Sequence, residues 1–187
     1  MLKIHMNQKL PLILGLTIII DIILLDQLSK WWITEYILRV AADAGGALSL
    51  QEWVINAPDR LGFVSVPILP YFNLTMVWNH GVSFGLLTDA GIWPLVLMAS
   101  AIAVVLMVWL AKSTSKLEAV ALGMVIGGAI GNVIDRFRFG AVADFFDVYV
   151  GTYHWPAFNI ADAGISIGVV LLLIHGLFMN KDRGENE

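Results

Sequence analysis

The chain has 187 residues, of which 58% are hydrophobic and 14% are charged, and its formal net charge is −4. A soluble domain carries about 25% charged residues, so this composition excludes a disordered chain and most soluble enzymes. The negative net charge offers no basic surface to nucleic acid. The absence of cysteine excludes disulfides, thiolate metal ligands and a cysteine nucleophile. We therefore expect one integral membrane domain over residues 1–187.

Membrane-spanning segments are the first feature along the chain, and each needs about 20 mostly apolar residues. Four segments meet this requirement, over about 10–30, 92–111, 117–137 and 159–179. The first segment could instead be the apolar part of a cleaved signal peptide, because Lys3 and Lys9 precede it. No small-residue cleavage pattern follows this segment, so we expect a retained helix.

The distribution of Lys and Arg predicts the orientation of these helices. Six such residues lie in 1–9, 112–117 and 180–187, whereas three lie in the much longer connections 31–91 and 138–158. Cytoplasmic loops carry the excess of positive charge. We therefore expect both termini in the cytoplasm and the two long connections on the outer face.

The first long connection exceeds the length of a turn. Extended-type residues at 69–74 and 75–78, with Pro67 and Pro70 as breaks, indicate a small sheet. A short amphipathic helix over 48–55 is expected to lie in the membrane interface. The predicted fold class is an all-α membrane protein with four transmembrane helices, a small extracytoplasmic β-cradle and a short interfacial helix.

Glycines recur every four residues in the last two segments. They are Gly123, Gly127 and Gly131 in the third segment and Gly164 and Gly168 in the fourth. Small residues at this spacing allow helix backbones to approach closely in lipid. We expect the third and fourth helices to be close neighbours.

Ionisable groups in or beside membrane spans are costly, and by default they mark function. In the predicted topology, such groups and nearby polar side chains converge on the outer membrane boundary. They are Asp26, Lys30, Asn79, His80, Asn132, Asp135, Arg136, Asp144, Asp147, Asn159 and Asp162. Asp21 lies deeper, and its role is not predicted.

Several of these groups have a structural interpretation. Asp26 and Lys30 are four residues apart on one helix face, which predicts an ion pair that seats the first helix. His80, His154 and His175 are isolated and have no metal-ligand spacing, so no metal or other cofactor is expected. The other structural expectations are a charge pair of Asp135 with Arg136, a helix cap at Asn159 and a solvated loop carboxylate at Asp147.

Asp144 and Asp162 resist such an interpretation. Asp144 follows the third helix and Asp162 opens the fourth, so close packing of these helices could bring the two carboxylates together. Two carboxylates in a partly desolvated site share one proton. The ionised member can act as a general base on water while the protonated member polarises a carbonyl. This is the chemistry of aspartic peptidases, and it needs no metal.

The sequence around these groups resembles the lipoprotein signal peptidase (signal peptidase II) family in four blocks that follow the family's order. The blocks are Asp26-Gln-Leu-Ser-Lys30-Trp31, then Asn79-His-Gly81-Val-Ser-Phe84-Gly85, then Gly131-Asn132-Val-Ile-Asp135-Arg136 with Gly140-Ala-Val-Ala-Asp144-Phe145, and finally Pro156-Ala-Phe158-Asn159-Ile-Ala-Asp162.

The resemblance implies that Asp144 and Asp162 are the catalytic aspartates of an endopeptidase. The family cleaves the signal peptide from bacterial prolipoproteins before a cysteine that carries a diacylglyceryl group, and globomycin-type cyclic peptides inhibit it. Residues expected to bind substrate or support the dyad are Asn79, Gly81, Phe84, Asn132, Asp135, Arg136 and Asn159.

The expected partners are the lipidated prolipoprotein and membrane lipid, with no nucleic acid, and we expect a monomer in the bacterial inner membrane. The chain departs from the family in its first long connection, where residues 40–64 match none of the family's blocks. This surplus either extends the outer cradle or changes which lipoproteins are admitted.

Three other functions compete with this interpretation. A small proton- or ion-coupled transporter would place its acids near the bilayer midplane and often contains inverted repeats. A structural subunit would leave the convergent Asn and Asp residues unexplained. A different intramembrane aspartic peptidase would have other motifs.

Overall fold

The computed structural model describes the backbone of residues 2–81 and 91–184 and the side chains of 9–81 and 91–177. Its helices are α1 (Leu2–Trp32), continued by a π-helical segment (Ile33–Leu38) and a short turn α2 (Arg39–Ala41), then α3 (Leu50–Asn56), α4 (Trp93–Lys112), α5 (Lys116–Phe139) and α6 (Ile160–Gly184). Its strands are β1 (Ser65–Leu69), β2 (Phe72–Asn79), β3 (Val142–Val150) and β4 (Tyr153–His154).

Four helical segments in the described part of the chain are long and apolar enough to cross a membrane. They are Lys9–Ala41, Trp93–Lys112, Lys116–Phe139 and Ile160–Leu177. The predicted architecture of four membrane helices with a small sheet is therefore confirmed.

The first membrane helix extends well beyond its predicted end near residue 30. The continuing π-helical segment buries Ile33 and Leu38 against Leu74 and Met76 of β2 and Phe145 of β3. The predicted helix ended near Lys30, but this lysine is fully buried among the helices. A buried and neutralised charge does not mark the end of a helix, so the same helix continues and supports the sheet.

The helix α5 is the centre of the bundle: 56% of its span is buried, compared with 11–17% for the other three spans. A Cβ added at Gly127 would lie 2.9 Å from the backbone oxygen of Ile19 on α1. A Cβ at Gly128 would collide with the backbone oxygen of Ala161 on α6. The predicted contact of α5 with α6 is therefore confirmed, but the stripe through Gly127 faces α1.

The four strands form one antiparallel sheet in the order β1-β2-β3-β4. Pro67 lies inside β1, so its interpretation as a break was wrong. The strand β1 is at the edge of the sheet, where the missing N–H of proline can face the unpaired side. The strand β3, in the second long connection, was not predicted, and its register sets Asp144 opposite Val77 of β2.

The short helix predicted over 48–55 is present as α3, one to two residues later than expected. Its start carries a capping box, in which the Ser49 side chain accepts from the Glu52 backbone N–H and the Glu52 carboxylate accepts from that of Ser49. Trp53 of this helix is buried against Phe139, with 5.8 Å between ring centroids. Thus the long connection packs against the end of α5.

Candidate active site

Asp144 and Asp162 come from different elements and are linked by one residue, Asn159. Asp144 lies on β3, and Asp162 lies in the first turn of α6. The Nδ2 of Asn159 donates to Oδ1 of Asp144 at 2.7 Å, and its backbone N–H donates to Oδ2 of Asp162 at 3.3 Å. The Asn159 Oδ1 also accepts from the Asp162 backbone N–H at 2.9 Å, which is the predicted helix cap. Asn159 therefore caps α6 and joins the two carboxylates.

Two further asparagines donate hydrogen bonds to the remaining carboxylate oxygens of the dyad. Nδ2 of Asn79, at the end of β2, donates to Oδ2 of Asp144 at 2.9 Å. Nδ2 of Asn132, on α5, donates to Oδ1 of Asp162 at 2.7 Å. Every carboxylate oxygen of the pair thus accepts a hydrogen bond from an asparagine. The structure brings together five of the residues that the sequence analysis selected.

Gly81 orients the Asn79 amide. Its backbone N–H donates to Oδ1 of Asn79 at 2.7 Å, which leaves the Asn79 amide nitrogen for Asp144. Gly81 has a φ of 77°, and an added Cβ would lie 2.5 Å from a methyl carbon of Leu95 and 3.1 Å from Nη2 of Arg136. The position therefore requires glycine. Phe84, selected from the same block, lies outside the described residues.

The environment of Asp144 favours its protonated form. Burial of the side chain and the neighbouring charge of Asp162 raise the pKa of Asp144 to about 7, although the hydrogen bonds from Asn79 and Asn159 and the charge of Lys30 act in the opposite direction. Below about neutral pH, Asp144 therefore retains its proton in most molecules. A pair in this state contains both a general acid and a general base.

A fully buried ion network lies directly behind the dyad. The Lys30 ammonium is 2.8 Å from Oδ2 of Asp26 and 2.8 Å from Oδ2 of Asp135. The predicted pairing of Asp135 with Arg136 is replaced by this contact with α1. Consecutive helix residues point roughly 100° apart, so Asp135 faces α1 while Arg136 faces the dyad.

Gln27 completes this network, and the sequence analysis missed its role. Its Nε2 donates to Oδ2 of Asp26 and to Oδ1 of Asp135, both at 3.0 Å. The amide thus joins two carboxylates that would otherwise repel each other beside a single lysine. Its position next to Asp26 in the first sequence block was the available signal.

Arg136 has an unused donor beside the dyad. Its Nη1 donates to the backbone oxygen of Asn132 at 3.2 Å, whereas its buried Nε has no hydrogen-bond partner among the described residues. Both Asp144 and Asp162 lie close enough to interact with its charge. Unsatisfied buried donors are rare in proteins, so this arginine beside the dyad is a candidate functional residue.

Two predicted environments in the second long connection were wrong, at Asp147 and at His154, and a third was wrong at His80, whose Nε2 lies 3.1 Å from Nη1 of Arg60. Asp147 is a buried residue of β3, and it accepts hydrogen bonds from Asn73 at 3.0 Å and Thr75 at 3.1 Å. The Nδ1 of His154, expected to be isolated, lies 2.7 Å from Oδ1 of Asp147. The errors at Asp147 and His154 follow from treating β3, which carries Asp147, as a loop. Asp21 lies apart from this site, on the exposed surface of α1.

Comparisons with known proteins identify the family of this chain. The family model described as signal peptidase (SPase) II matches residues 18–178. A lipoprotein signal peptidase of Hydrogenovibrio crunogenus is 40% identical over 171 residues, which cover 89% of this chain and 86% of the relative. A lipoprotein signal peptidase of Alteromonas mediterranea is 45% identical over 130 residues, which cover 67% of this chain and 71% of the relative.

Two solved structures of bacterial membrane enzymes have a fold similar to that of this chain. A bacterial membrane enzyme determined by the in meso method at 2.3 Å resolution has a TM-score of 0.67 and 26% identity, and covers 92% of this chain and 91% of its own. A second one, at 1.9 Å resolution, has a TM-score of 0.65, 26% identity and coverage of 87% and 92%. A transporter finds no support in these comparisons. With a membrane-helix fold, a linked aspartate pair and these similarities, the chain belongs to the signal peptidase II family.

Proposed function

We propose that the chain is an aspartic endopeptidase that removes the signal peptide from diacylglyceryl-modified prolipoproteins. Asp144 and Asp162 are its catalytic residues, and cleavage occurs before the lipidated cysteine. The observation that carries the proposal is the contact of Asn159 with both carboxylates, at 2.7 Å and 3.3 Å. This contact holds two acids from separate elements at one site, where they can act on one peptide bond.

In the first step, ionised Asp162 takes a proton from a water molecule, and the water oxygen bonds to the scissile carbonyl carbon. Asp144 gives its proton to the carbonyl oxygen, which would otherwise develop a full negative charge. The product is a neutral tetrahedral diol. We assign the proton to Asp144 because burial and then the Asp162 charge raise the pKa of Asp144 to about 7.

In the second step, the C–N bond breaks. Asp162 returns its proton to the amide nitrogen of the lipidated cysteine, and Asp144 recovers a proton from a hydroxyl of the diol. The signal peptide leaves with a free carboxyl group and the lipoprotein with a free amine. The dyad is thereby restored to its starting protonation state.

The polar residues around the dyad have separate roles in this proposal. Asn79, Asn132 and Asn159 hold the carboxylates by hydrogen bonds. The guanidinium of Arg136, whose Nε has no hydrogen-bond partner among the described residues, binds a backbone carbonyl of the substrate near the scissile bond. The buried pair of Asp26 with Lys30 is structural and supports the backbone of the site.

The location of the site suits a lipidated substrate. The dyad lies at the end of the bundle where α5 ends and α6 begins. The excess of Lys and Arg in residues 1–9, 112–117 and 180–187 supports an orientation with both termini in the cytoplasm and this end on the outer face of the membrane, which we propose is the bacterial inner membrane. The acyl chains of the substrate can then stay in the bilayer while its scissile bond reaches the dyad.

The test uses the purified full chain in detergent with a diacylglyceryl-modified prolipoprotein. Wild type should release the signal peptide, and a globomycin-type cyclic peptide should block this release. Asp144→Asn and Asp162→Asn should each reduce kcat by at least about 10³-fold while remaining folded. The matched control is Asp43→Asn, at an exposed position outside the site, and it should cleave as wild type does.

Either of two results would overturn the proposal. One is a wild-type chain that does not cleave the lipidated substrate although it is folded. The other is normal cleavage by both aspartate variants, which would leave the family's reaction with a different catalytic group. Addition of a chelator should leave the wild-type rate unchanged.

A further inference from the structure

Arg60 lies in the long connection that matches none of the family's sequence blocks, and it contacts two segments that lead to Asp144. Its Nε donates to the backbone oxygen of Phe139, the last residue of α5, at 2.6 Å, and its Nη2 donates to the same oxygen. Its Nη1 lies 3.1 Å from Nε2 of His80, just after β2. One guanidinium therefore joins the end of α5 to the end of β2.

Gly140 provides the space that this guanidinium occupies. It ends α5 in the left-handed conformation, with a φ of 68°, and its backbone N–H donates to the oxygen of Arg136 at 2.9 Å. A Cβ at Gly140 would lie 2.7 Å from Nη2 of Arg60. Both the backbone turn and the arginine contact therefore require a residue without a side chain.

Both segments held by Arg60 continue directly into contacts of Asp144. The strand β3 starts at Val142, two residues after Gly140, and carries Asp144. On the other side, Asn79 precedes His80 and donates to Oδ2 of Asp144 at 2.9 Å. A displacement of either segment would move a group that binds or carries the Asp144 carboxylate.

The rest of the segment 60–64 lies along β2 and fixes the position of Arg60. The indole N–H of Trp78 donates to the backbone oxygen of Leu61 at 2.9 Å, and the Met76 N–H donates to that of Val64 at 2.8 Å. The Arg60 guanidinium carbon lies 5.6 Å from the centre of the Trp78 ring. The arginine is thus attached to the sheet through its own backbone neighbours.

We propose that Arg60 is a positioning residue for Asp144, acting through the Asn79–His80 segment and the end of α5. The inference rests on the proposed peptidase function, because its effect is measured on cleavage. Among the described residues, the charged groups that act on Asp144 itself are Lys30, Arg136 and Asp162. Arg60 is not among them, so it acts by geometry. The long connection therefore contributes to the catalytic site and is not only an extension of the outer surface.

The first experiment compares Arg60→Gln with wild type in the lipoprotein cleavage assay over a range of pH. We expect Arg60→Gln to lower kcat about tenfold with little change in KM, because misplacement of a catalytic group affects the reaction step more than binding. The alkaline limb of kcat/KM should also move to higher pH. Asn79 stabilises the ionised form of Asp144, and this donor is weakened when its segment is released.

Two other variants serve as references. Arg60→Lys keeps the charge but loses the forked geometry, and we expect it to restore only part of the rate. Asp59→Asn alters the exposed neighbour of Arg60 and should match wild type in rate and pH profile. Thermal unfolding of each purified variant establishes that the rates compare folded proteins.

A double-mutant cycle tests the route of the effect. Arg60→Gln combined with Asn79→Ala should lose less than the product of the two single losses, because both changes remove the same placement of Asn79. An Arg60→Gln rate and pH profile equal to those of wild type would overturn the inference, and so would a fully multiplicative double loss. These results leave the proposed function intact, since that function fails only if wild type or the dyad variants behave against expectation.

Discussion

The carboxylate of Asp135 accepts a hydrogen bond at 3.0 Å from the backbone N–H of Ala143, the residue immediately before Asp144. The carboxylate of Asp26 accepts one at 3.1 Å from Ala161, immediately before Asp162. Both acids are paired with the same ammonium group of Lys30. A single buried ion network therefore holds the backbone next to each proposed catalytic aspartate.

Replacement of Lys30 should destabilise the whole protein. Lys30→Met leaves Asp26 and Asp135 buried side by side without a cation, and removal of one partner from a buried ion network costs about 3–5 kcal/mol. Thermal unfolding in detergent, followed by tryptophan fluorescence, measures the change. Lys112→Met, at the exposed end of α4, is the matched control and should unfold at the wild-type temperature. Equal unfolding temperatures for the two variants would contradict the structural role of the network.

The pH profile of cleavage should report the shared proton. Burial and the Asp162 charge raise the pKa of Asp144 to about 7, so kcat/KM should fall as the pH increases above about 7 and Asp144 loses its proton. Asn79→Ala removes a donor that favours the charged form. We expect it to move this limb upward by about one pH unit. A limb that stays in place, or moves to lower pH, would mean that another group holds the proton.

Close packing of α5 on α1 should make Gly127 sensitive to even a methyl group. Gly127→Ala puts a Cβ 2.9 Å from the backbone oxygen of Ile19, and this overpacking should reduce the free energy of unfolding by about 1–3 kcal/mol. Gly176→Ala in α6 makes the same change where, among the described residues, no atom outside its own stretch of helix lies within 4 Å of the added Cβ. The second variant should be at least as stable as wild type, because alanine favours the helix. Similar losses of unfolding free energy in both variants would exclude close packing of α5 on α1 as the cause.

Asp147 should stabilise the sheet in a pH-dependent way. Burial raises the pKa of Asp147, but hydrogen bonds from Asn73, His154 and Thr75 outweigh it and hold the pKa below its usual value. The stabilisation is therefore present above the unfolded-state pKa of about 3.9 and is lost as the pH falls through the lower folded-state value.

Comparison of Asp147→Asn with wild type measures this contribution. At pH 7 the variant should be less stable by about 1–2 kcal/mol, because an amide replaces one acceptor with a donor that faces other donors. The difference should shrink as the pH falls below the unfolded-state pKa of about 3.9 and through the lower folded-state pKa, where wild type also loses its charge. Asp43→Asn, at an exposed position, should show no such difference. A stability difference between wild type and Asp147→Asn that is constant with pH would exclude the charge of Asp147 as its source.

The sequence by itself determined the four membrane helices, the packing of α5 against α6 and most residues of the candidate site. Hydropathy acts locally, because about 20 apolar residues must form a helix wherever they enter a bilayer. The aspartates and asparagines were also recognisable from their own chemistry, since a polar group at a membrane boundary is costly and needs a reason to be there.

Only the tertiary structure decided which partners these groups have. Lys30 meets Asp135, and Gln27 bridges Asp26 and Asp135, across 105 and 108 residues of chain respectively. The strand β3 was not predicted, because Asp144 and Asp147 are residue types found more often in loops. Pairing with β2 provides both carboxylates with hydrogen-bond donors. Arg60 matched no sequence block, and its role depends on the approach of three chain segments. Such contacts form only when distant segments pack together, so a local sequence pattern does not predict them.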